Sequence, residues 1–187
     1  GFNKKAKELS KRFNQGQYKP SPNKLTTLTE EITMHATLKK VTKITQLDSE
    51  VIISFAGSVL FGDGKTQIKE ETLPVLDTLI DIIRTKNPNY RIIIEGHTDP
   101  IEHKKNDIVD SSWELGALRA AIVLKRFVHL GIIPSQMSAI TKGDSKLLAE
   151  PFDSEGNPLP DNNTNNRRVL IKVIEPMKSN KKVKFGL

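Results

Sequence analysis

The stretch from Tyr90 to Arg119 constrains the fold more than any other part of the chain. It opens Tyr-Arg-Ile-Ile-Ile-Glu-Gly-His-Thr-Asp and, after a polar insert, continues Ser-Ser-Trp-Glu-Leu-Gly-Ala-Leu-Arg-Ala. β-branched Ile92, Ile93 and Ile94 suit a buried strand. Gly96 releases the backbone, and Asp99 with Pro100 marks a turn. Ser111 and Glu114 have capping-box spacing, in which each side chain can satisfy an orphan backbone donor, so a helix starts there. Leu115, Leu118, Ala121, Ile122 and Val128 predict its buried stripe.

Arg119 lies between Leu115 and Ile122 at helical spacing and so borders that stripe. A guanidinium there needs a partner, because an unpaired buried charge is costly. Asp99 leaves the strand end as a fixed carboxylate. On chemistry alone two readings stay open. In one, Asp99 and Arg119 flank an open pocket. The carboxylate holds an ammonium and the planar fork holds a carboxylate, so the ligand is an amino-acid zwitterion. In the other, Asp99 caps the turn and Arg119 makes a structural ion pair, with Asp99 itself as one available partner.

The flanking segments supply the rest of a small α/β layout. Leu25, Leu28, Ile32 and Ala36 recur at helical spacing, although frequent threonine weakens that helix; a solvated linker is the competing reading. Val41 to Leu47 predicts a strand, and Val51 to Phe55 a second one. Gly57 to Gly64 reads as a loop. Thr72 to Lys86 predicts an amphipathic helix with Leu73, Leu76, Leu79, Ile80 and Ile83 inward and Pro74 in its first turn. After the central strand and the insert 100–110, a helix over 112–130 ends at Gly131. Ser138 to Thr141 is a short strand, 149–166 a long surface loop, and Val169, Ile171 and Val173 alternate as a last strand. Helix-linked strands in this order predict β-α-β crossovers and a mixed sheet with helices on one face.

Charge is distributed unevenly. The net charge of +7 resolves into +7 for residues 1–47, −3 for 48–174 and +3 for 175–187. The body is mildly acidic and shows no basic stripe with interleaved aromatics, which argues against a nucleic-acid platform. The chain contains no cysteine, which excludes disulfides and cysteine-ligated metal. No apolar run approaches the ~20 residues that span a bilayer, and no signal peptide is visible. The opening Gly1-Phe2-Asn3 suggests a piece of a longer protein.

Gly96-His97-Thr98-Asp99, Trp113-Glu114-Leu115, Arg119-Ala120 and Asn166-Arg167-Arg168-Val169 together resemble the motifs of the OmpA-like peptidoglycan-binding domain. Ser112-Trp113-Glu114-Leu115 is most similar to its MotB branch, the flagellar stator subunit. The resemblance runs roughly from Val51 to Val173 and implies an α/β (α+β sandwich) fold, with a mixed sheet and helices packed on one face. In that family the aspartate after the strand and the arginine in the next helix grip the diaminopimelate of a peptidoglycan stem peptide; they correspond to Asp99 and Arg119. Val59-Leu60-Phe61 corresponds to a Val-x-Phe motif lining the groove. Secondary contacts implied are Thr98, Phe61, Asp63, Leu115, Asn166, Arg167 and Arg168, with structural roles equally open for the arginines. The insert after Asp99 is longer than in compact lipoprotein members, and Gly116 stands where serine is usual.

The resemblance further implies a non-catalytic anchor with no cofactor and no metal, forming a homodimer beside a MotA-like partner. It would be the periplasmic domain of a single-pass inner-membrane protein whose membrane helix lies outside this sequence. The expected division is a basic arm at 1–22, a helix and first strand at 23–50, the binding domain at 51–175 and a basic tail at 176–187. Alternatives are an OmpA-like or Pal-like envelope anchor without a motor role, and a zinc-dependent wall hydrolase using His97, Asp99, Glu102 and His103. The spacing of those four matches no standard zinc motif, no Gly-x-Ser-x-Gly nucleophile elbow occurs, and Asp63-Gly64 with Glu70 fails as a calcium loop because Val59 and Phe61 stand where oxygen ligands are needed. Trp113 is expected as a core anchor.

Overall fold

The computed structural model describes residues 24–176. The expected basic arm at 1–22, and the basic tail apart from Pro176, lie outside the described residues. The elements are α1 (Lys24–Met34), α2 (Ala36–Val41), β1 (Thr42–Gln46), β2 (Glu50–Ala56), α3 (Gly57–Leu60), α4 (Leu73–Lys86), β3 (Arg91–His97), α5 (Ser112–His129), β4 (Met137–Gly143), α6 (Pro160–Asn166) and β5 (Arg168–Ile174).

The five strands form one mixed sheet in the order β1-β2-β5-β3-β4. β3 and β4 run parallel, joined by the crossover helix α5, and the other neighbours are antiparallel. Register places Ile53, Ile171 and Ile94 in one row and Val51, Val173 and Ile92 in the next. All six are buried with Leu76, Leu79, Ile80 and Ile83 of α4 and Ala120, Val123 and Phe127 of α5. Strand residues of one parity therefore share a core with the helical stripes, so the helices lie on one face of the sheet. Leu25, Leu28 and Ile32 of α1 and Leu38 of α2 enter the same core fully buried. Ala36, expected on that stripe, is exposed, because the helix breaks at His35 and restarts.

The start of α5 follows the expected chemistry. Ser111 Oγ accepts the Glu114 N–H at 3.2 Å, and Glu114 reaches back to the Asp110 N–H. Its end turns at Gly131, φ +92°, with the Ile132 N–H returning to Phe127 O at 3.1 Å. Its buried face differs from the predicted stripe. Ser112, Leu115, Gly116, Arg119, Ala120, Val123 and Phe127 are buried. Leu118 and Ile122 are half-buried, whereas Ala121 and Val128 are exposed. The reason is a backbone contact: a Cβ on Gly96 would stand 2.1 Å from Gly116 O. Two glycines let helix and strand touch, and that contact turns Gly116 and Ala120 to the sheet. Arg119 is carried into the buried face rather than along its border.

Three further expectations are corrected. Trp113 is 49% exposed and rests against Gly143 instead of anchoring the core. The segment expected as a loop from Gly57 begins with the single turn α3, whose Gly57 N–H bonds Arg167 O at 2.7 Å. The region 149–166 ends in α6, a short helix opened by Pro160, a residue tolerated in a first turn.

Candidate ligand-binding site

Asp99 lies two residues beyond the end of β3, and its position is stitched from both sides. The Thr98 N–H bonds Gly143 O at 2.9 Å, and Ser112 Oγ donates to Asp99 O at 3.1 Å. The strand tip is thus tied to the end of β4 and to the first turn of α5. Asp99 Oδ1 accepts the N–H groups of Ile101 (2.8 Å) and Glu102 (2.7 Å), which starts a 3₁₀ turn over Glu102–Lys105. Its other oxygen accepts Arg167 Nε.

Arg119 approaches from α5, and its partner is Glu102. Nη1 donates to Glu102 Oε2 at 2.8 Å and Nη2 to Oε1 at 2.6 Å, a fork-to-fork pair. Arg119 Nε bonds Lys65 O at 2.9 Å, Nη2 also reaches Gly62 O at 3.3 Å, and the guanidinium lies 5.0 Å over the Phe61 ring. Glu102 Oε1 additionally accepts the Gly64 N–H at 3.0 Å. Arg167 bridges the two halves: its Nη1 bonds Asp63 Oδ1 at 3.1 Å and its Nε lies 3.6 Å from Glu102 Oε2. Lys105 pairs with Asp63.

The network has a sealed floor and an accessible lid. The side chains of Asp99, Glu102 and Arg119 are 0%, 2% and 3% exposed, while Arg167 is 16% and Asp63 49% exposed. Burial pushes the Asp63 carboxyl up, but its bond to Lys105 and the charges of Arg167, Lys105 and Arg119 hold it below the usual carboxylate range. Burial pulls the Arg167 guanidinium down, and its bond to Asp99 with the charges of Glu102, Asp99 and Asp63 outweighs that. An open cleft of about 620 Å³ lies between the 62–70 segment and the insert, lined by Gly62, Gly64, Lys65, Lys105 and Ile108 among others. A second, of about 520 Å³, runs past Arg167 and Arg168 to Lys40 and Lys43.

Sequence reasoning brought Asp99 and Arg119 to one place, and the structure does so too, but the open pocket between them is not what it contains. Each is engaged by a charge from elsewhere, and Arg119 takes neither a vacancy nor Asp99. Of the secondary residues, Thr98 and Leu115 are buried beside the strand tip and in α5, and Phe61 lies beneath the guanidinium. Asn166 has its amide occupied by the backbone of Leu148 and Ala149. Arg168 donates to Asn166 O and Lys146 O, bracing the same loop. The four zinc candidates are each engaged by other partners: His97 pairs with Glu95 at 2.6 Å, His103 meets Ser112 Oγ, and the two carboxylates serve arginines. Glu102, weighed only as a zinc ligand, and Lys105 were not foreseen as partners in this network. The signal was present in Asp99-Pro-Ile-Glu102, where an aspartate starting a turn carries a glutamate three positions on.

The OmpA family profile matches residues 60–167, more than half of the chain, and its limits enclose Asp63, Asp99, Glu102, Arg119 and Arg167. The chain belongs to the OmpA family. Motility protein B of Bacillus subtilis is 28% identical over 132 residues, covering 70% of this chain and 48% of that protein. The matched region therefore spans about half the length of this relative. Among solved structures, the periplasmic domain of Helicobacter pylori MotB (residues 97–256) is similar at 25% identity and TM-score 0.61, covering 71% of this chain and 87% of that one. A putative MotB-like protein from Desulfovibrio vulgaris shares the fold, with TM-score 0.69 at 24% identity, covering 84% and 94% of the two chains. For this OmpA-family chain, no helix among the described residues is long and apolar enough to cross a membrane.

Proposed function

We propose that this chain is a non-catalytic peptidoglycan-binding module that anchors a MotB-like flagellar stator subunit to the cell wall. The observation that carries the reading is the Asp99–Arg167–Glu102–Arg119 network, sealed except at Arg167, which lines the cleft of about 520 Å³. Ion pairs buried this deeply seldom beat an apolar core for stability, so their retention is better explained by a ligand that needs them. A zwitterionic stem residue matches the two buried charges in sign, provided that it displaces their present partners: its ammonium is drawn to Asp99 and its carboxylate to Arg119, with Arg167 and Asp63 at the accessible rim. Family membership and the likeness to Motility protein B support the wall and motor parts of the reading. In the complete protein the domain stands in the periplasm, carried by a membrane helix outside this sequence, as a homodimer beside a MotA-like partner.

Pull-down on purified sacculi tests the ligand. Truncating either residue would strand a buried charge, so the milder Asp99→Asn and Arg119→Lys are preferred. Lysine cannot reproduce the planar fork. Both variants are expected to retain a cooperative melt and to lose most of the bound fraction. Wild-type retention by both would refute the assignment.

A further inference from the structure

The carboxylate that fills the Arg119 fork belongs to the protein. Glu102 meets Nη1 and Nη2 with one oxygen each, at 2.8 and 2.6 Å, as a ligand carboxylate would. With Nε bonded to Lys65 O and Nη2 shared with Gly62 O, the guanidinium has little donor capacity left, and its side chain is 3% exposed. A ligand carboxylate therefore has to take the place of Glu102. We propose that Glu102 is a built-in stand-in for the ligand, and that binding exchanges one carboxylate for another at Arg119. This rests on the reading of Asp99 and Arg119 as the ligand-gripping pair.

The connections around Glu102 suit such an exchange. Its side chain is held on a 3₁₀ turn, a short element with poor hydrogen-bond geometry. The neighbouring residues His103, Lys104 and Lys105 are not buried, so moving the turn uncovers no core side chain; what it must break are the bonds of Glu102 and Asn106 to Gly64, of His103 to Ser112 and of Lys105 to Asp63. Asp99 Oδ1 anchors that turn through the N–H groups of Ile101 and Glu102. An ammonium that draws on Asp99 loosens the anchor while the incoming carboxylate claims the fork. Displaced Glu102 keeps a counter-charge, because Arg167 Nε already lies 3.6 Å from its Oε2. The two ends of the ligand thus act together, and a carboxylate or an amine alone gains only half of the exchange. Glu102 is in this sense a specificity-determining residue, favouring zwitterions over simple acids.

The test is calorimetric titration of the intact chain with a synthetic stem tripeptide ending in diaminopimelate. Glu102→Gln keeps the shape but replaces a charged competitor by a neutral amide, whose bonds to the fork are weaker. The expected result is binding roughly tenfold tighter than wild type, with a lower but cooperative melt, while Arg119→Lys binds more weakly. Glu102→Asp, one methylene shorter, provides the same reading if the glutamine variant does not fold, and is also expected to bind more tightly. Unchanged or weaker binding by the Glu102 variants, with Arg119→Lys still impaired, would make Glu102 a brace for Arg119 and overturn the exchange alone. Failure of both Glu102 variants to melt cooperatively would overturn it equally. Undiminished binding by Arg119→Lys would instead remove the site assignment on which the exchange stands.

Discussion

Replacing Gly96 by alanine tests the contact that orients the whole site. The new Cβ would stand 2.1 Å from Gly116 O, 2.7 Å from Gly116 C and 3.0 Å from its Cα. Ordinary contact begins near 3.4 Å, so α5 must recede by roughly 1.3 Å, since the obstacle is backbone and has no rotamer to change. Forced overpacking typically costs about 1–3 kcal/mol, and a backbone clash belongs at the upper end. Removing a strand glycine returns about 0.5–1 kcal/mol, leaving a net loss of about 2 kcal/mol. For a domain of this size that lowers Tm by roughly 4–8 °C. Gly116→Ala is the control. Its Cβ would lie 2.5 Å from Thr141 Oγ1, a side-chain atom that can rotate at the expense of its bond to the Gly143 N–H, and 3.0 Å from Gly96 O. A gain of about 1 kcal/mol in helix propensity offsets part of that. The assay is thermal unfolding by circular dichroism at fixed concentration. A Gly96→Ala melt within 2 °C of wild type, or a larger loss for Gly116→Ala than for Gly96→Ala, would refute the argument.

Two further outcomes are expected. Leu28→Ala, which hollows a fully buried position where α1 joins the core, should cost about 2–5 kcal/mol in urea unfolding; a loss under about 1 kcal/mol would mean that α1 is docked only loosely. Burial, helped by the charge of Arg168, holds the His97 imidazole below its ordinary value of 6.5, despite the pull of Glu95. The unfolded chain then binds more protons between the two values, so stability rises with pH there and falls as pH drops below 6.5. Melting temperatures measured from pH 7.5 to 5 should decline in wild type and decline less in His97→Gln, and equal slopes would exclude His97 as the source.

The parts of the fold legible in the sequence were those with a local period. The strand at Ile92 to Ile94, the capping box at Ser111 and Glu114, the α4 stripe and the Gly131 stop each depend on residues within a turn or two of one another. α6 escaped because its segment, Pro-Asp-Asn-Asn-Thr-Asn-Asn, has no apolar period and is shaped by Asn163 and Asn166 bonding the facing loop. Trp113 was misjudged because size suggests burial, whereas position on the helix decides it. The stripe on α5 was misread for the same reason: apolar bulk was weighed, and the contact is made by two glycines.

Sequence by itself determined the order of the five strands and of the long helices α4 and α5, the inward face of β5, and the presence of a fixed carboxylate and a guanidinium on adjoining elements. Only the tertiary structure decided which charges meet. Arg167 comes 68 residues after Asp99 and 104 after Asp63, and Glu102 reaches Arg119 across the insert. Periodicity is a property of neighbours along the chain, but the partner of a buried ion is whichever opposite charge the packing delivers within about 3 Å. That delivery depends on how far α5 is rotated over β3, which a single backbone contact between Gly96 and Gly116 settles.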